Sequence, residues 1–179
     1  MQIETSELIY FSPTGTTRQV LTAIAEGLSV SQIRHRDLTL PDPIEQGHAS
    51  VSNPEGSVAL IGTPVYAGRI PSIAADRLRT VQGAGRPAVL VVLYGNRAFE
   101  DALLELYDLA VDLDYVPVAG AAFIGEHSYS SASTPIATGR PDAEDLRAAQ
   151  VFGERITEKL HPITDLTALS PTRPPRHHP

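Results

Sequence analysis

The stretch Leu8-Ile9-Tyr10-Phe11-Ser12-Pro13-Thr14-Gly15-Thr16-Thr17 carries an apolar run into a hydroxyl-rich turn, and a helical pattern starts at its last residue. Leu8 to Phe11 are large and apolar without polar alternation, as in a central strand of a parallel sheet covered on both faces. From Thr17 onward apolar residues return at Val20, Leu21, Ile24 and Leu28, the spacing of one helical face. Between strand and helix, Ser12, Thr14, Thr16 and Thr17 offer four hydroxyls, and Gly15 permits close backbone approach. The first turn of the helix adds N–H groups that have no acceptor within the helix. The loop has no Lys, so it is not a nucleoside-triphosphate loop, and no Gly-x-Gly-x-x-Gly, so the dinucleotide fingerprint is absent. A neutral loop of this kind suits a phosphomonoester held by hydrogen bonds; the alternative is an ordinary strand-turn-helix with a polar turn.

Outward from that stretch, the chain of 179 residues has the length of one domain with a single core. A formal net charge of −7 argues against nucleic acid or an anionic membrane as partner. With no Cys there is no disulfide, thiolate metal site or iron–sulfur cluster within the chain. No apolar run is long enough to span a membrane, and Met1-Gln2-Ile3-Glu4 does not open a signal peptide, so the cytoplasm is expected.

The remaining elements follow in order. Gln32 to Thr39 contains a short, charged edge strand, Ile33 to Leu38, and Pro41 to Ser57 reads as a long surface loop. Val58 to Thr63 is a buried strand that exits through Pro64-Val65-Tyr66-Ala67-Gly68-Arg69-Ile70-Pro71. The next helix starts near Pro71, with Ile73, Ala74, Leu78 and Val81 on its inner face. Pro87 to Tyr94 is the most hydrophobic strand and exits through Gly95-Asn96-Arg97-Ala98. A helix is expected over Phe99 to Tyr115, with Leu103, Leu106, Tyr107, Ala110 and Leu113 inward. Val116 to Ile124 is the last strand, followed by a Ser/Thr-rich loop and a closing helix from Asp142, a capping residue, to Leu160. Residues 161–179 form a proline-rich tail that reads as disordered, so the folded domain is expected over 1–160.

Ser12-Pro13-Thr14-Gly15-Thr16-Thr17 behind an apolar strand resembles the FMN-phosphate loop of flavodoxins. It departs from the family at Leu21, where the pattern has a small Ala, so the helix is expected to stand slightly further from the sheet. Strands alternating with helices then imply a flavodoxin-like α/β sandwich of three layers, a five-stranded parallel sheet in the order 2-1-3-4-5. Ligand in such a sheet lies beyond the carboxyl ends of the strands, where three loops converge. Gly62 to Pro71, Tyr94 to Ala98, Gly125-Glu126-His127-Ser128 and Gly139-Arg140-Pro141 are similar to the flavodoxin domain of flavodoxin–ferredoxin fusion proteins. Those fusions continue into a Cys-rich ferredoxin, whereas this chain has none, so an iron–sulfur partner is expected to be a separate protein.

The resemblance implies FMN as cofactor. Its phosphate falls to the Ser12–Thr17 loop, and its rings fall to Pro64, Val65, Tyr66, Ala67 and Gly68 on one side and to Tyr94, Gly95, Asn96, Arg97 and Phe99 on the other. Tyr66 stands where flavodoxins have an inner-face aromatic, with a loop aromatic packed on its own prolines as the alternative. Phe99 stands where they have an outer-face aromatic, with a core residue opening its helix as the alternative. His127 is expected to touch the flavin ring or an incoming partner, with a hydrogen-bonded loop His as the alternative. Gly95-Asn96 replaces the family's Gly-Asp, and Arg97 and Arg69 are near, so a positive rim and a less negative flavin potential are expected unless both arginines bind nearby acids. No catalytic acid, base or metal ligand is assigned.

Three functions fit. The first is electron transfer between redox partners, a separate ferredoxin or reductase or a small acceptor, with the cofactor carrying the chemistry. The second is an FMN-dependent NAD(P)H or quinone reductase, and the third a flavodoxin-like interaction domain without bound flavin. Oligomeric state does not follow from sequence.

Overall fold

A computed structural model describes residues 2–41, 56–163 and 172–177. The strands are β1 (Thr5–Tyr10), β2 (Gln32–Asp37), β3 (Ser57–Pro64), β4 (Pro87–Tyr94) and β5 (Val116–Ile124), and the helices are α1 (Thr16–Leu28), α2 (Ser72–Leu78), α3 (Ala102–Asp112) and α4 (Ala143–Leu160). All strand pairs are parallel and the sheet runs β2-β1-β3-β4-β5. This is the flavodoxin-like order expected from the sequence. β3 and β4 are buried at every position except their last, which is why they read as unbroken apolar runs. β2 is exposed along nearly its whole length and stands at the edge, as its charges predict.

Two cores lie on the two sides of the sheet. One packs Leu8, Leu60, Val89 and Val91 against Val20, Leu21, Ile24 and Leu28 of α1 and Ala149, Ile156 and Leu160 of α4. The other packs Ile9, Ile61, Leu90 and Val92 against Leu78 of α2 and Leu106, Leu109 and Ala110 of α3. α1 and α4 meet backbone to backbone: a Cβ on Gly27 would stand 2.0 Å from the Gln150 carbonyl oxygen, and one on Gly153 2.2 Å from that of Ile24. Below the sheet, buried Arg86 donates to Glu7 at 2.6 Å and to the Tyr115 hydroxyl at 3.3 Å. That links Glu7 of β1 to the residues immediately before β4 and β5.

The structure corrects several helical details. Ile73 is 47% exposed, because α2 has only seven residues and its buried face is limited to Ala74 and Leu78. α3 begins at Ala102 instead of Phe99, since Glu100 takes a left-handed conformation (φ 43°) that a helix cannot absorb. Its buried residues include Leu104 and Leu109, while Leu103 and Tyr107 are only partly covered, so the helix is rotated relative to the expected face. α4 behaves as expected at its start, where Asp142 accepts from the backbone of Glu144 and Asp145. Most of the Pro41–Ser57 loop lies outside the described residues. Of the proline-rich segment, residues 172–177 lie against α3: Arg173 reaches Asp108 at 2.6 Å and the His177 N–H reaches Asp101 at 2.7 Å. Among the described residues, no helix is long and apolar enough to cross a membrane.

Candidate functional site

The loop between β1 and α1 has the chemistry of an anion cradle. Gly15 takes the left-handed conformation (φ 82°) and caps α1 with no side-chain hydrogen bond. Nothing lies within 4 Å of where its Cβ would be, so the backbone there faces open space. The Gly15 N–H is used by the Ser12 carbonyl at 3.1 Å and the Arg18 N–H by the Ser12 hydroxyl at 3.2 Å. Among the described residues, the N–H groups of Thr16 and Thr17 between them have no acceptor. The exposed hydroxyls of Thr14 and Thr16 stand 3.1 Å apart at the same turn. Unpaired N–H groups at a helix start beside two hydroxyls make a donor set that suits a phosphate, and it contains no countercharge. Ser12 and Thr17 are buried, unlike Thr14 and Thr16, and the Thr17 methyl group packs toward Gly62. Pro13 is exposed on the outer side of the turn.

The expectation that Leu21 would hold α1 off the sheet is met by a different solution. A Cβ on Gly62 would lie 2.9 Å from Leu21 Cδ1 and 2.8 Å from Thr17 Cγ2, so the missing side chain of Gly62 makes the room that Leu21 fills.

The loops after β3 and β4 form one continuous lip beside the cradle. Tyr66 and Arg69 exchange backbone hydrogen bonds at 2.9 and 3.1 Å, with Ala67 (φ 50°) and Gly68 (φ 76°) between them. Two positive φ angles in a two-residue turn define a type I′ hairpin. That hairpin lifts Tyr66 outward, and the residue is 52% exposed. The loop is tied down at both ends: Val65 N–H donates to the Leu93 carbonyl at 2.7 Å, and Ile70 N–H donates to Glu105 of α3 at 3.0 Å. Pro64 is the last, half-buried residue of β3. Gly68 is buried under Glu100, where a Cβ would fall 2.0 Å from a carboxylate oxygen. Asn96, with φ 58°, turns the second loop.

Phe99 is placed differently from Tyr66. It is partly buried, packs against the core between the sheet and α3, and stands edge-on to Tyr94 with ring centroids 5.5 Å apart. The arginines do not form an uncompensated positive rim. Arg69 is paired with Glu105, whose hydrogen bond raises the guanidinium pKa further, and Arg97, 80% exposed on its side chain, lies 3.9 Å from Glu100. Each cation stands beside a carboxylate on or next to α3.

The loop after β5 closes the far side. His127 lies over Gly95, where a Cβ would meet the imidazole Cδ2 at 2.3 Å. Its Nδ1 accepts from the Tyr129 N–H at 3.0 Å, which fixes Nδ1 as the acceptor and leaves the proton of the neutral ring on Nε2. The same loop is pinned by Glu126, which accepts from Gly139 N–H at 3.0 Å, and by Gly125 N–H donating to the Tyr94 carbonyl at 3.0 Å. His127 is therefore a hydrogen-bonded loop residue that also packs against Gly95 of the loop after β4.

Sequence reasoning missed Thr39 and Tyr129. The Thr39 hydroxyl accepts from the Ser12 N–H at 2.9 Å, and Thr39 N–H is held by Asp37 at 2.8 Å, so the end of β2 braces the cradle. No local pattern announces that contact, which joins residues 27 positions apart. Tyr129 is 80% exposed, beside His127 with ring centroids 5.1 Å apart. An aromatic inside a Ser/Thr-rich loop was the available signal.

No family model matches the chain, and no curated protein does. Solved structures do match it. A flavodoxin from the domain Archaea superposes with a TM-score of 0.58 at 12% identity, over 88% of this chain and 99% of that one. Oxidised flavodoxin 1 from Bacillus cereus superposes with a TM-score of 0.59 at 14% identity, over 87% of this chain and 98% of that one. The Flv1 flavodiiron core from Synechocystis sp. PCC6803 is similar over 90% of this chain but 37% of its own, with a TM-score of 0.60 and 16% identity. At these identities the likeness shows the fold: the chain has the flavodoxin-like α/β architecture.

Proposed function

We propose that this chain binds FMN and passes electrons between redox partners. The observation that carries the reading is the neutral cradle at the start of α1, where the unpaired N–H groups of Thr16 and Thr17 meet the hydroxyls of Thr14 and Thr16. In this reading Ser12, Thr14, Gly15, Thr16 and Thr17 hold the terminal phosphate, with Ser12 positioned by Thr39. FMN, when bound, supplies a ring system that accepts and gives up electrons. The chain's own part is to hold and shield those rings. Tyr66, lifted by its I′ turn, covers one face, and the backbone of Val65 to Gly68 and of Gly95 to Arg97 lines the polar edge. Gly68 and Gly95 have no side chains because Glu100 and His127 occupy that space, which brings the three loops together.

Support for a redox partner comes from the fold's company: among the similar structures is rubredoxin oxygen:oxidoreductase from Desulfovibrio gigas, matched over 94% of this chain and 38% of its own, with a TM-score of 0.60 and 12% identity. The motifs shared with flavodoxin–ferredoxin fusions point to a separate iron–sulfur protein as partner. The deciding experiment is an absorbance spectrum of the purified protein with added FMN, followed by NADPH consumption with and without a quinone. A bound flavin spectrum without NADPH consumption is expected. Absence of FMN binding at micromolar protein would leave an interaction domain, and quinone-dependent NADPH oxidation would establish a reductase.

A further inference from the structure

α3, packed on one face of the sheet, carries an acidic stripe on its outer side. Asp101 at the N-cap of α3 and Asp108 within the helix are seven positions apart, about two helical turns. Between this face and β5 is a cavity of about 240 Å³ lined by Leu103, Tyr107, Pro117, Lys159, Thr172 and Pro174. The Lys159 ammonium donates to the Val118 carbonyl at 2.6 Å, which caps part of the free edge of β5. The segment Thr172-Arg173-Pro174-Pro175-Arg176-His177 runs past the cavity and up the helix. Its charge is the complement of the stripe.

We propose that the acidic flank of α3 and the cavity beside β5 form a docking groove whose occupant is this chain's own basic, proline-bearing segment Thr172–His177. Two anchors hold it. The Arg173 guanidinium donates to both oxygens of Asp108, at 2.8 and 2.6 Å, a bidentate geometry that a single point charge does not reproduce. The His177 N–H donates to Asp101 at 2.7 Å, so the segment is also fixed at the start of α3, next to the Gly95–Phe99 loop. Between the anchors, Pro174 and Pro175 restrict the backbone before docking, which lowers the entropy lost on binding. Pro174 and Thr172 form one wall of the cavity and so shield its apolar floor. Arg173 and Asp108 are about half exposed, so the pairing is reversible and sensitive to salt. A foreign basic segment that uses this groove must first displace the chain's own.

The test uses the full chain and trypsin, which does not cut Arg173–Pro174 but cuts Arg176–His177 when that bond is free. Loss of the residues after Arg176 is followed by mass spectrometry, against a synthetic peptide of residues 171–179. In the wild type at low salt, cleavage there is expected to be at least tenfold slower than in the peptide, and the protection to shrink at high salt. R173E is expected to abolish it, and the charge-exchanged pair R173E/D108R to restore most of it. Light scattering should show a mass independent of concentration. Wild-type cleavage at the peptide's rate, or no recovery in the exchanged pair, would overturn the groove. A wild-type dimer that R173E dissociates would overturn the intramolecular occupant and assign the segment to a second copy.

Discussion

Leu21 of α1 fills the space that the missing side chain of Gly62 leaves in β3: a Cβ at position 62 would stand 2.9 Å from Leu21 Cδ1 and 2.8 Å from Thr17 Cγ2. Both Leu21 and Gly62 are buried, and Thr17 lies in the first turn of the helix behind the cradle. A large residue on the helix and none on the strand is thus one way to set α1 at its distance from the sheet. Gly62→Ala should cost about 1 to 3 kcal/mol by overpacking, and less in a Leu21→Ala background, where only the Thr17 methyl still crowds the added Cβ. Urea denaturation of the four-member cycle is the measurement; additive costs would show that the two residues do not share the space.

The cradle predicts a difference between two flavins. Replacing Thr14 and Thr16 by Ala removes hydroxyl donors to a charged group, each worth about 1.5 to 3 kcal/mol. FMN affinity should fall at least tenfold and riboflavin affinity hardly at all, since only the phosphate is lost between them. Titration of both ligands by fluorescence quenching decides it, and equal losses would remove the phosphate from this loop.

Tyr66 and Phe99 should separate binding from stability. Tyr66 is half exposed on its turn, so Tyr66→Ala should weaken FMN by about 0.5 to 1.5 kcal/mol beyond lost burial and leave the melting temperature nearly unchanged. Phe99 packs against the core, so Phe99→Ala should lower the melting temperature, at a cost toward the low end of about 3 to 5 kcal/mol. A Phe99→Ala protein with unaltered stability and unquenched FMN would instead place that ring over the flavin.

Asp145 should make the stability of α4 sensitive to acid. Its side chain is 11% exposed, it accepts from Arg140, and it accepts from the Asp142 N–H at 2.8 Å. The Arg140 hydrogen bond, the largest cause, holds its carboxyl below the ordinary value of 3.8, with burial opposing. A carboxyl depressed in the folded state stabilises it above the ordinary value, and that contribution is lost as pH falls from there through the depressed one. Asp145→Asn should therefore lower stability at neutral pH and flatten the stability curve below about pH 4. Thermal melts of both proteins from neutral to acid pH would show this, and parallel curves would exclude it. Asp142→Ala should cost about 1 kcal/mol on its own through the lost cap.

Sequence alone determined the elements whose signal is local. β3 and β4 are continuous apolar runs because both their faces are covered, and α1 and α4 keep a helical period because each packs one side on the sheet. The hydroxyl-rich turn between β1 and α1 was legible for the same reason: its hydroxyls, its glycine and the helix start all lie within six consecutive residues, Ser12 to Thr17. Tertiary structure decided what depends on residues far apart in the chain. Thr39 behind Ser12, Glu105 beside Arg69, Glu100 over Gly68 and His127 over Gly95 come from different parts of the chain, and no spacing announces them. The face of α3 was misjudged because a helix covered by a twisted sheet on one side buries Leu104 and Leu109 through its rotation, which periodicity leaves open by one residue. Phe99 illustrates the limit most directly. Its place in the chain fits a ring over a ligand, and only the packing of Tyr94 and the core against it shows which way the side chain turns.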